Sequence, residues 1–134
     1  MPQVVIIKGS KNDSSVMEKA SQVLREAGVD FEEKVLSAHR DPQALDAYLK
    51  ELPQRGVKVV IAGAGWAAHL AGAIASRTDL PVIGVPISSS PLKGMDALLS
   101  TVQMPPGVPV ATVAIDCAAN AAHLAIRILR VAGA

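Results

Sequence analysis

The chain has 134 residues, half of them hydrophobic, but its only aromatic side chains are Phe31, Tyr48 and Trp66, and its net charge is +1. That length fits one domain, residues 1–134, with a core of its own; the interspersed, near-neutral charge and scarce stacking rings argue against a nucleic-acid partner. One cysteine, Cys117, leaves no internal disulfide framework and suits a reducing compartment, so a cytoplasmic location is expected.

Five short β-branched runs alternate with helical patterns. The first strand is expected at Val4–Ile7, followed by a helix over about Ser14–Ala27 with Val16, Met17, Ala20, Val23, Leu24 and Ala27 at helical spacing. Gly28 stands where a left-handed helix end belongs. Phe31–Leu36 reads as a second strand and Pro42–Leu52 as a second helix, its proline in the first turn. A third strand is expected at Val57–Ala62 and an Ala-rich helix at Ala67–Arg77. Val82–Val85 is the fourth strand, Gly94–Val102 a short helix, Val110–Ile115 the fifth strand and Ala118–Val131 the last helix. Such a rhythm with short connections predicts an α/β domain with a parallel sheet and helices on both faces. Runs such as Val4-Val5-Ile6-Ile7 are apolar at every position, as strands covered twice should be.

The amino-terminal apolar run is too short for a signal peptide, and no stretch approaches the roughly 20 apolar residues of a membrane span. Mean hydropathy is high for a lone soluble chain, at +0.33. Surplus apolar surface is more easily covered by further copies than left in water, so a homo-oligomer is expected.

In folds of this class ligands sit beyond the carboxyl ends of the strands, and the unusual residues of this chain cluster there. After the first strand, Gly9-Ser10-Lys11-Asn12-Asp13 leads into a helix. Ser10, Asn12 and the helix amides can donate to phosphate oxygens, and Asp13 can accept from ribose hydroxyls. Asn12 or Asp13 reads equally well as a helix cap. After the second strand, Ser37-Ala38-His39-Arg40-Asp41-Pro42 crowds a hydroxyl, an imidazole and a guanidinium together. Arg40 suits bidentate phosphate recognition, His39 exchanges protons near neutral pH, and Asp41 is the expected cap before Pro42. A His-Arg pair in a loop is also common solvated surface. After the third strand, Gly63-Ala64-Gly65 lets backbone crowd a bound ring. His69 falls near the start of a helix, where it reads either as a neutral positioning group or as a capping or packing residue. Ser88-Ser89-Ser90 belongs to a loop that is either ordinary surface or a lid. Cys117 reads as packing, and His123 with Arg127 as helix surface or interface. The histidines lack metal-ligand spacing, so no metal is expected.

Taken together, GSKND at 9–13, SAHR at 37–40, AGAGWAAHL at 62–70, PVIGVP at 81–86 and GMDALLS through ATVAI at 94–115 strongly resemble the class I N5-carboxyaminoimidazole ribonucleotide mutases of purine synthesis. The resemblance spans nearly the whole chain. It implies a three-layer αβα, flavodoxin-like fold with strand order 2-1-3-4-5, assembled as an octamer with shared sites. It also implies that Ser10, Asp13, Ser37 and Arg40 hold the ribose 5-phosphate portion, that His39 transfers the proton, and that Gly65, Ala68, His69 and Leu70 line the base pocket; Asn12 and Ala38 are expected to bind substrate beside them, and His69 to take part in catalysis. No cofactor is implied; the substrate is a small ribonucleotide.

The chain departs from the family pattern at Trp66, where glycine is usual, and at Asn12, Asp41 and Ala71, which stand for serine, threonine and proline. It also stops at Ala134, short of the helical tail common in the family. Two other readings therefore stand beside the mutase: direct carboxylation of the same ribonucleotide or a modified one, and a nucleotide-binding paralogue without catalysis.

Overall fold

The structure, a computed structural model, describes residues 1–133. Five parallel strands, β1 (Val4–Lys8), β2 (Phe31–Val35), β3 (Val59–Gly65), β4 (Val82–Ile87) and β5 (Ala111–Thr112), lie in the order β2-β1-β3-β4-β5. Helices α1 (Ser14–Glu26) and α5 (Ala118–Val131) cover one face. Helices α2 (Pro42–Glu51), α3 (Leu70–Ala75) and α4 (Met95–Val102) lie over the other.

The alternation of side chains along a strand divides the core. From β1, Val4 and Ile6 join Met17, Ala20 and Leu24 of α1 and the alanines of α5. Val5 and Ile7 pack instead with Leu45, Leu49, Leu70 and Ile74 on the opposite side. Both sets are fully buried, so the unbroken apolar run is explained by a strand roofed twice. Edge strand β2 is half-exposed and carries Glu32, Glu33 and Lys34. Glu32 accepts hydrogen bonds from the Tyr48 hydroxyl and from both terminal nitrogens of Arg55, at 2.7 and 3.1 Å for the latter. The Arg55 and Tyr48 bonds hold its carboxyl below its ordinary pKa, while burial and that same carboxylate push the Tyr48 phenol up.

Helix α1 ends as its sequence predicts. Gly28 takes φ +71° and donates to Arg25 O, and Val29 N reaches Leu24 O. Three boundaries differ from expectation. Strand β3 begins at Val59 and runs on to Gly65, because residues 63–65 pair with Val85, Pro86 and Ile87 of β4. Helix α3 therefore starts only at Leu70. The expected six-residue fifth strand is reduced to Ala111–Thr112, although Val113 N to Gly84 O and Asp116 N to Pro86 O keep the chain beside β4. Among the described residues, no helix is long and apolar enough to cross a membrane.

Candidate active site

The chain leaves β1 toward β2 on one side and returns to β3 on the other. The crevice that opens between these connections lies at the carboxyl ends of the strands. A cavity of about 320 Å³ occupies it. Its wall draws on the loops after β1, β2 and β3 and on Ser89 from the loop after β4.

Ser10 opens the first loop in extended conformation and accepts a hydrogen bond from Asn12 N at 3.1 Å. Its hydroxyl proton is left to face a ligand. Asn12 is exposed, whereas Asp13 is buried. Asp13 occupies the cap position of α1 but makes no capping bond, so the simple cap reading fails for it. Burial raises its carboxyl above its ordinary pKa, against the Ser10 backbone N–H and the ammonium of Lys8, which pull it down. Lys8 is itself largely buried beneath this loop, 3.4 Å from Ser14 Oγ and 3.8 Å from Glu33.

The second loop is a self-bonded knot. Ser37 Oγ accepts from His39 N at 3.2 Å and Arg40 N at 3.1 Å, while Asp41 Oδ2 accepts from Ser37 N at 3.1 Å. Asp41 thus braces the loop and makes no side-chain cap to α2, contrary to expectation. The serine oxygen fixes the backbone that carries the imidazole and the guanidinium. Arg25, Arg55 and Arg77 each meet a carboxylate, but Arg40 has no acidic partner among the described residues. Its fork is free for an anion.

His39 Nε2 lies 2.9 Å from His69 Nδ1, with the rings edge to face at 84°. One nitrogen must donate and the other accept. His69 precedes α3 without capping it, so this contact replaces the capping role. Leu70, Gly65 and Ala38 line the cavity; Ala68 is buried and does not reach its wall. A Cβ added at Gly65 would fall on the Ser89 hydroxyl and come 3.1 Å from Ile87 O, so only glycine lets the two loops meet.

Trp66 lines the cavity too, and Ser89 and Asp116 also lie outside the expected set. Ser89 lines the cavity, and Asp116 fixes its loop by accepting from Ser88 N at 2.9 Å and from the Ser88 hydroxyl. The serine-rich run signalled the first. Nothing in the sequence placed Asp116 beside it, since the two are joined only through the pairing of β4 and β5. Cys117 is half-buried at the start of α5, and His123 and Arg127 lie on the outer surface of that helix. No group of three or more potential metal ligands occurs among the described residues.

The family model described as AIR carboxylase matches residues 3–134. The N5-carboxyaminoimidazole ribonucleotide mutase of Saccharolobus solfataricus is 60% identical over 129 residues, covering 96% of this chain and 82% of the relative. That of Thermotoga maritima is 56% identical over 129 residues, covering 96% of this chain and 75% of the relative. Among solved structures, Treponema denticola PurE superposes with a TM-score of 0.88 at 30% identity, covering 98% of this chain and 82% of that one. The chain belongs to the AIR carboxylase family.

Proposed function

We infer that the chain is an N5-carboxyaminoimidazole ribonucleotide mutase, an isomerase that moves a carboxylate from the exocyclic nitrogen of the aminoimidazole ribonucleotide to its ring carbon. The observation that carries the reading is the imidazole pair. His39 and His69 meet at 2.9 Å in a cavity whose wall also holds Ser10, Asp13, Ser37 and Arg40. Ser10, Asn12 and Arg40 supply donors for the phosphate, and Asp13 accepts from ribose hydroxyls. The base then lies toward Gly65, His69 and Leu70.

In the first half of the cycle the N–C bond breaks, CO2 departs, and protonated His39 delivers its proton to the nitrogen. CO2 held beneath the bound ribonucleotide keeps a high effective concentration at the ring carbon. In the second half the ring carbon attacks CO2 and neutral His39 removes the ring proton, which restores the starting state. The bond to His69 orients the His39 ring. Atoms and charge balance without a further reactant.

We further propose that the enzyme works in the cytoplasm as a homo-octamer. The outer ridge of α4 and the turn before it support self-association: Leu92, Met95, Leu99 and Val102 are 46–63% exposed along one stripe.

The test is turnover of the N-carboxylated ribonucleotide with and without bicarbonate. Conversion without added bicarbonate is expected. A requirement for bicarbonate, with the N-carboxylated compound ignored, would replace the mutase with a direct carboxylase. Binding without turnover by either route would leave a non-catalytic paralogue.

A further inference from the structure

Trp66 is the one tryptophan of the chain. Its backbone is left-handed, at φ +58°, a conformation in which the Cβ of any residue but glycine crowds the following carbonyl. For so bulky a side chain this is an outlier. The strain is not offset by burial, since the residue remains 58% exposed. Its position is not remote, however. Trp66 shares the wall of the catalytic cavity with Gly65, His39, His69 and Leu70. A strained, unburied ring at the mouth of a ligand cavity contributes little to the fold and has one π-face to offer to whatever enters.

We propose that Trp66 is a substrate-binding residue whose indole stacks on the aminoimidazole ring and makes the site select for ring-bearing ribonucleotides. The proposal rests on the mutase reading for the identity of that ring. Its geometry follows from the cavity. The phosphate is drawn to Arg40 and the first loop, and the His39–His69 contact ties the second loop to the third. A planar base directed at His39 therefore comes beside residue 66. The left-handed backbone turns the side chain out of the line of β3, which ends at Gly65. A right-handed conformation would continue the chain differently into α3.

Because the indole is unique, its fluorescence reports on this one position. Wild-type protein is titrated with 4-carboxy-5-aminoimidazole ribonucleotide and, separately, with ribose 5-phosphate. Saturable quenching by the first and little change with the second are expected. Trp66→Gly, which relieves the backbone strain and should fold at least as well, is expected to weaken binding of the ring-bearing ligand about tenfold, as loss of one base–aromatic stack does. Its affinity for ribose 5-phosphate stays near that of wild type, and KM rises by more than kcat falls. Trp66→Phe recovers much of the loss.

Binding of the ribonucleotide by calorimetry with no change in emission would overturn the proposal. So would equal loss of affinity for both ligands in Trp66→Gly. Emission that follows protein concentration but not ligand would assign the indole to a contact with a second copy. Absence of mutase turnover in wild type strikes the functional reading alone, because the titration still decides whether a ring meets Trp66. Failure of both ligands to bind removes both conclusions together.

Discussion

A hydrogen bond between two imidazoles needs a proton on one nitrogen and a lone pair on the other, so the His39–His69 contact constrains both rings at once. His39→Asn keeps a polar side chain on the Ser37-braced loop but cannot carry a proton through the cycle. Turnover is expected to fall by about 10²–10⁴-fold, the usual worth of a positioned acid–base group, while calorimetric binding of ribose 5-phosphate is largely spared. Near-normal turnover would transfer the role to His69. Arg40→Ala acts differently. It should weaken ribonucleotide binding by about 1.5–3 kcal/mol, the range for a charge-assisted contact, since no acidic side chain competes for the guanidinium. Asp13 shows a cost of the site to the fold. Its carboxyl pKa is raised by burial, so the folded chain holds that proton more tightly than the unfolded chain does. The associated stability is complete below the unfolded pKa and is lost as pH rises through the folded one. Asp13→Asn is therefore expected to raise the melting temperature of the ligand-free protein in the neutral range. The gain should shrink in acid, and the same variant should bind the ribonucleotide less tightly. Thermal scans across pH check the first part; a variant no more stable than wild type at neutral pH would show that ionised Asp13 is fully compensated.

At the scale of elements, the loop between β4 and α4 is held by a residue far along the chain. Asp116, itself left-handed at φ +61°, grips Ser88 through both backbone and hydroxyl and so sets Ser89 against Gly65. Asp116→Ala removes the acceptor and puts a side chain without local hydrogen bonding in a conformation that Asp tolerates better. A higher KM, with a stability loss of about 1 kcal/mol in urea titrations, is expected from the lost hydrogen bonds, whose exposed donors turn to water, and from the added strain. Unchanged KM would make the latch purely structural. This device was invisible in the sequence, whereas much else was not. The doubly apolar runs of β1 and β3 announce strands roofed on both sides, and hydroxyl, imidazole and guanidinium groups packed at strand ends mark the crevice. The expected third strand stops at Ala62 because Gly63-Ala64-Gly65 fits a strand or a loop equally, and the expected helix begins at Ala67 because Ala67-Ala68 fits a helix or a turn. Pairing of Gly63–Gly65 with β4, and the seat that Gly63 leaves for the Met17 thioether, decide the matter in space. The resemblance places Ala68 in the pocket with its neighbours, but Ala68 is buried and does not line it.

The whole molecule gathers its chemistry at one end of the sheet and leaves an apolar stripe elsewhere. The helix faces of α1, α2 and α5 that meet the sheet are buried. Helix α4 differs: Ala97 and Thr101 face inward, while Met95, Leu99 and Val102, with Leu92 just before them, face solvent. The periodicity that marked a helix over 94–102 could not say that its outer side would also be apolar and unroofed within one chain. That ridge is continuous enough to bury against a copy of itself or of a neighbouring surface, and charged side chains there would be desolvated on association. Leu99, already 52% exposed, can become lysine without emptying the core. Leu99→Lys should therefore keep the circular dichroism of wild type yet sediment as a smaller species, with wild type sedimenting at several chain masses, eight in the octamer. If wild type were monomeric, or if the variant assembled equally well, the α4 ridge would not be the contact that covers the surplus apolar surface.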